Sequence, residues 1–194
     1  VYKRQTLLFA PADRPERFQK AAERSDMVII DLEDGAAVDN HEQARANIIN
    51  NPLDPETTIL RITGPGTPTF AEDVAFARAC DYDIVMVPKI RDSIPAELEG
   101  LKIIAMIETP QAMINIQQIA THPDVVGLFW GAEDLTAELG GVSSRQSVDE
   151  NPRRHYRDPQ RLARALVQVH AAAAGIAAID AVHTDFRDER GQYL

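Results

Sequence analysis

A chain of 194 residues with 44% apolar and 26% charged side chains has the make-up of an ordinary globular protein, large enough to bury roughly 70% of its unfolded surface without covalent staples. Its 30 acidic against 20 basic side chains leave a formal net charge of −10, which argues against a nucleic-acid partner because phosphate binding needs a basic face. One cysteine, Cys80, excludes an internal disulfide framework and fits a reducing, cytoplasmic setting; no apolar run reaches the ~18 residues of a membrane span, and Val1–Gln5 does not open a signal peptide.

Short apolar runs rich in branched residues predict strands at Thr6–Ala10, Met27–Leu32, Thr58–Ile62, Ile84–Val87, Ile103–Ile107, Val125–Trp130 and Ile176–Val182. Near-continuous runs of this kind mark strands buried on both faces. Helical spacing lies between them. Pro15–Arg24 carries Phe18, Ala21 and Ala22 on one face, with Asp13 as N-cap and Pro15 in the first turn. His41–Ile49, Thr69–Cys80, Pro110–Thr121 and Arg161–Ala174 follow, the second of these with an acid-rich first turn that suits the helix dipole. Strand alternating with helix implies right-handed crossovers and a parallel sheet. The short connections and the absence of a Gly-x-Gly-x-x-Gly turn after the first strand favour a TIM-type (β/α)8 barrel over a doubly wound sheet. Such a barrel takes about 250 residues, so residues 1–194 read as a single barrel domain with the eighth strand and C-terminal helices absent. The longest connection, Gly140–Pro159, is polar and reads either as a solvated, mobile loop or as a lid over the catalytic face.

In such a barrel the chemistry gathers at the C-terminal strand ends. Polar residues close nearly every strand here. Strand two ends in Asp31-Leu32-Glu33-Asp34-Gly35, strand three in Arg61, strand four in Pro88-Lys89, strand five in Glu108-Thr109 and strand six in Gly131-Ala132-Glu133-Asp134. Strand seven leads through Asp180 to His183 and Asp185. Unpaired carboxylates crowded into one partly buried site repel one another, and a divalent cation removes that difficulty. All-oxygen ligands point to Mg²⁺, with Mn²⁺ as the alternative. Glu108 and Asp134, on neighbouring strands, form the best ligand pair, with Glu33 and Asp34 as candidate catalytic acids behind them. Arg61 would aim a planar fork into the mouth, suited to a carboxylate or a developing oxyanion, or else to a strand-two acid. Lys89 shares its position, but a metal cluster makes a Schiff-base role unnecessary. Asp13-Arg14-Pro15 with Arg17 and Lys20 sets cations at the start of helix one, where phosphate could be cradled. The five histidines show no ligand spacing.

Taken together these strand ends resemble the citrate lyase beta-subunit-like branch of the hydroxy-acid aldolase superfamily. The resemblance is carried by Leu8-Phe9-Ala10-Pro11-Ala12-Asp13-Arg14-Pro15, Ile30-Asp31-Leu32-Glu33-Asp34-Gly35, Val87-Pro88-Lys89, Ile107-Glu108-Thr109, Gly131-Ala132-Glu133-Asp134-Leu135 and Ile179-Asp180-Ala181-Val182-His183-Thr184-Asp185, in order along the chain. It implies a homotrimeric, Mg²⁺-dependent enzyme that makes or breaks a carbon–carbon bond next to an acyl-CoA thioester, the other fragment being a 2-keto acid. Within it, Glu108 and Asp134 would hold the metal and Arg61 the keto acid, while Arg14 and Lys20 lie on the CoA side. Stand-alone lyases of the citramalyl-CoA or malyl-CoA type fit best. A metal-dependent aldolase using free pyruvate, a malate-synthase-like condensing enzyme and a non-catalytic citrate lyase-type subunit are the other readings. Thr63 stands where the family commonly has asparagine, and the family's acid–base residue lies in a C-terminal segment beyond this sequence.

Overall fold

The computed structural model describes residues 5–34 and 40–182. Gly35 and the stretch from His183 onward, including Asp185, lie outside the described residues. Seven strands follow one another in a single curled parallel sheet, in chain order: β1 (Leu7–Pro11), β2 (Met27–Asp31), β3 (Thr58–Arg61), β4 (Ile84–Val87), β5 (Lys102–Ile107), β6 (Val125–Trp130) and β7 (Ala177–Ile179). The first six strands lie within one residue of their predicted bounds, whereas β7 is shorter than the predicted Ile176–Val182 and ends at Ile179. The helices are α1 (Phe18–Ala22), α2 (His41–Asn50), α3 (Phe70–Ala79), α4 (Pro110–Ile114), α5 (Ile116–Ala120), α6 (Ala132–Glu138) and α7 (Asp158–Ala174). This is the expected alternation of an α/β TIM-like fold.

Three helices depart from expectation. The first opens as a 3-10 turn over Pro15–Arg17, and no side chain caps it, so Asp13 is not the N-cap. The predicted Pro110–Thr121 helix is two helices that meet at Asn115. The residues read as the polar end of strand six form the first turn of α6, where Glu133 and Asp134 suit the helix N-terminus. α7 ends as its sequence suggests: Gly175 takes a left-handed φ of 73°, and Ile176 N–H bonds back to the Ala171 carbonyl.

Side chains alternate across each strand and separate two apolar layers. One face, carrying Val28, Ile30, Leu60, Val85, Val87, Ala105, Leu128 and Trp130, packs beneath the helices. The other, carrying Ile29, Ile59, Met86, Ile104, Met106 and Phe129, fills the concave side. Counting on by two from this inner set reaches Asp31, Arg61 and Glu108, so the parity that buries isoleucine also sets these three at the C-terminal rim. Between β5 and β6 the register shifts: Ile103 faces Val125 but Ile104 faces Gly127, leaving Val126 as the extra residue of a bulge.

Candidate active site

Asp31 and Arg61 are direct register partners on β2 and β3. Arg61 Nε donates to Asp31 Oδ1 and Nη2 to Oδ2, both at 2.7 Å. This bidentate pair is itself buried; Arg61 is only 7% exposed. Nη1 lies 3.0 Å from Glu33 Oε2 and Nη2 3.2 Å from Asp34 Oδ2. The guanidinium carbon sits 4.9 Å from the centre of the Phe9 ring. Burial works against the charged guanidinium, but the bonds and charges of Asp31, Glu33 and Asp34 outweigh it and raise its pKa. The fork thus meets the strand-two acids, the second of the two partners its position suggested.

Glu33 bridges onward. Its Oε1 accepts from Lys89 Nζ at 2.7 Å, and burial pushes its carboxyl pKa up against the pull of Lys89 and Arg61. Asp34 is largely exposed. Lys89 Nζ also lies 3.7 Å from Asp134 Oδ1. Burial disfavours this ammonium, but Glu33, Asp134 and Asp34 together raise its pKa. A lysine held charged in this way is a poor Schiff-base nucleophile.

Glu108 is 1% exposed. Its Oε1 accepts the Lys89 backbone N–H at 2.8 Å, whereas Oε2 has no hydrogen-bond partner among the described residues. Burial, reinforced by the charge of Asp134, pushes its carboxyl up to about 8. A buried carboxylate with one orphaned oxygen, beside a second carboxylate, is what a hard divalent cation would satisfy. Among the described residues no three His, Cys, Asp or Glu side chains gather as a metal cluster. A metal would therefore rest on Glu108 and Asp134, leaving its other positions to water and substrate, as Mg²⁺ prefers.

Room for Glu108 comes from Gly131. A methyl group there would stand 2.2 Å from Glu108 Oε2 and 2.8 Å from its Cβ. The Gly131→Ala protein is expected to lose about 1–3 kcal/mol of stability through overpacking and at least about tenfold in Mg²⁺ affinity, because the Glu108 carboxylate is pushed off its place. Thermal melts and titration calorimetry check both; wild-type values in both would show that the carboxylate does not need this space.

Arg14, in the turn that follows β1, and Lys20, in the last turn of α1, are both exposed, and neither side chain has a polar partner among the described residues. The connection between α6 and α7 is fastened rather than free. Buried Ser144 donates to Glu133 Oε1 at 2.6 Å, Arg145 and Tyr156 form an antiparallel bridge, and the Arg145 guanidinium lies 3.8 Å from the Tyr156 ring centre. Tyr156 packs edge-on against Trp130, whose indole N–H donates to Asp180 Oδ1 at 2.7 Å. These ties, and the left-handed backbone of Lys89, were missed in the sequence. A wide apolar depression of about 500 Å³ lies elsewhere, between α4, α6 and α7, so cavity size does not mark the polar rim.

A curled parallel sheet that carries acids and an arginine at its C-terminal rim is the framework of a TIM-like lyase or aldolase. The chain belongs to the HpcH/HpaI aldolase/citrate lyase family, whose model matches residues 5–193. It is 43% identical over 185 residues to a citrate lyase subunit beta-like protein of Mycobacterium tuberculosis, covering 95% of this chain and 66% of that protein. An L-malyl-CoA/beta-methylmalyl-CoA lyase of Cereibacter sphaeroides is 31% identical, over 95% of this chain and 68% of the lyase. Among solved structures, CitE from Mycobacterium tuberculosis in complex with magnesium, acetoacetate and coenzyme A is similar at a TM-score of 0.87 and 44% identity, over 94% of this chain and 67% of that one.

Proposed function

We propose that the protein is a Mg²⁺-dependent carbon–carbon lyase, cleaving or forming a 3-hydroxyacyl-CoA thioester of the malyl-CoA or citramalyl-CoA type, with an acyl-CoA and a 2-keto acid as the other side of the reaction. The observation that carries this reading is Glu108: a buried carboxyl group whose Oε2 has no hydrogen-bond partner among the described residues, beside Asp134 and the Arg61 cluster. The similarity to a malyl-CoA lyase and the magnesium and coenzyme A of the CitE complex support it. Assembly as a homotrimer and action in the cytoplasm belong to the same proposal; no helix among the described residues is long and apolar enough to cross a membrane.

Mg²⁺ held by Glu108 and Asp134 would supply a Lewis acid for the oxygens of the keto-acid half. The remaining work falls to the chain. In the cleavage direction the 3-hydroxyl loses its proton to a base and the bond between C2 and C3 breaks. Its electron pair passes to the thioester as an enolate, which then takes a proton on carbon. Asp31 and Glu33 fix Arg61 at the rim, so its positive charge faces the negative charge that develops, without reorganisation. Asp34 completes the set that fastens this guanidinium. Arg14 and Lys20 present uncommitted cations on the β1 side, suited to the phosphates of CoA. These two cations favour an acyl-CoA substrate over an aldolase acting on free pyruvate and an aldehyde.

Purified protein is expected to release keto acid from malyl-CoA or citramalyl-CoA in the presence of Mg²⁺, followed by trapping the product as a hydrazone, and to stop when the ion is chelated. Saturable dependence on the thioester separates this from the aldolase. Free thiol formed from acetyl-CoA and glyoxylate would indicate the condensing enzyme instead. A protein that binds Mg²⁺ yet turns over none of these substrates would refute the lyase and leave a silent subunit.

A further inference from the structure

Asp73, on α3, is a completely buried carboxylate that takes no part in the chemistry above. A buried charge persists only where it is paired and hydrogen-bonded. Oδ1 of Asp73 accepts from Arg45 Nη1 of α2 at 2.8 Å, and His41 Nδ1 lies 3.8 Å from the same oxygen. Oδ2 serves the end of β3 instead. It accepts the Thr63 backbone N–H at 3.1 Å and the Thr63 hydroxyl at 2.8 Å.

These two bonds fall where the chain leaves the sheet. Ile62 N–H still reaches the Met86 carbonyl at 3.2 Å, whereas Thr63 N–H has exchanged the ladder for Asp73. The next residue, Gly64, backs onto the end of β4: a methyl group there would stand 3.4 Å from both Lys89 Cβ and the Pro88 carbonyl oxygen. Lys89 has a left-handed backbone, with φ at 53°, a conformation that persists in an L-residue when its surroundings enforce it. The Thr63–Gly64 turn is one of those surroundings. That backbone aims the Lys89 N–H at Glu108 Oε1, 2.8 Å away, the one hydrogen bond this carboxyl group has among the described residues.

We infer that Asp73 is a positioning residue for the Glu108 carboxyl group. It acts at a distance: its Oδ2 fixes the Thr63–Gly64 turn, the turn backs the Lys89 backbone, and that backbone holds Glu108. The inference rests on the reading of Glu108 as a Mg²⁺ ligand.

Titration calorimetry with Mg²⁺ on the whole protein, at one pH and well below the melting transition, tests it. Asp73→Ala removes both Thr63 bonds. It is expected to weaken Mg²⁺ by about threefold or more, less than the ~10-fold or greater cost of losing a group bonded directly to a ligand. Arg45→Met takes away the cation on the far side of Asp73 and keeps both Thr63 bonds. It should lower the melting temperature, because a buried carboxylate loses its partner, yet weaken Mg²⁺ by less than that threefold. Should Asp73→Ala fail to fold, Thr63→Val decides by the same threshold, since it deletes the hydroxyl and leaves Asp73 on Arg45. A smaller loss in the deciding variant overturns the positioning role. So does a loss of threefold or more in Arg45→Met, because general weakening of the α2–α3 layer would then account for both. A wild-type protein that binds no Mg²⁺ overturns the metal reading itself, and the role of Asp73 with it.

Discussion

Arg61→Ala is expected to lower turnover on a malyl-CoA-type thioester by on the order of 10²-fold, the usual effect of removing a fixed positive charge that lies close to developing negative charge. It should also lower folding stability by about 3–5 kcal/mol, because Asp31, Glu33 and Asp34 would be left as crowded anions without their common cation. Denaturant unfolding and steady-state kinetics measure the two effects independently. Adding Asp31→Asn should recover part of the stability and none of the turnover, since it relieves the repulsion without restoring the guanidinium. Mg²⁺ binding should survive in Arg61→Ala, as neither Glu108 nor Asp134 is bonded to this arginine. Wild-type turnover in the single variant would remove Arg61 from the reaction.

The second large effect concerns Glu108. Burial, with Asp134 nearby, raises its pKa from 4.5 to about 8. The folded, metal-free protein therefore keeps a proton there that the unfolded chain releases. Stability from this group is fully present below pH 4.5 and falls as pH rises toward about 8, by a few kcal/mol at most. Glu108→Gln should flatten that slope, because the amide carries no titrating proton. Unfolding curves in chelator at a series of pH values show either result. The same proton opposes the metal: Mg²⁺ must displace it, so affinity should rise with pH across the window and binding should release protons into the buffer. Glu108→Gln should weaken Mg²⁺ by at least about tenfold. Calorimetry that finds unchanged affinity would contradict the ligand pair.

The strands were legible because each is a branched apolar run long enough to be buried on both faces. The rim residues were legible for the same reason: Asp31, Arg61 and Glu108 follow such runs and take the inward parity of Ile29, Ile59 and Met106. How the rim's charges pair was not legible. Whether Arg61 meets a substrate or Asp31 depends on β2 and β3 being in register, a contact across 30 residues. The left-handed backbone of Lys89 had no glycine or asparagine to announce it. Ser144 reads as an ordinary loop hydroxyl until the fold sets it on Glu133. The short α6 was hidden because its acids could be read equally as a strand end or a helix start.

The extra residue in β6 has a consequence at the other end of the strand. Beyond it Ile107 faces Trp130, and one step further Glu108 comes opposite Gly131, the single side chain small enough to leave the carboxylate its place. Had Val126 been accommodated without the irregularity, the pairing would be offset by one and the indole would stand where the glycine is. A hairline fault near the closed end of the sheet thus decides which neighbour the principal acid meets. Insertions or deletions anywhere in Val125–Trp130 would be felt at the reaction centre before they were felt in the hydrophobic layers.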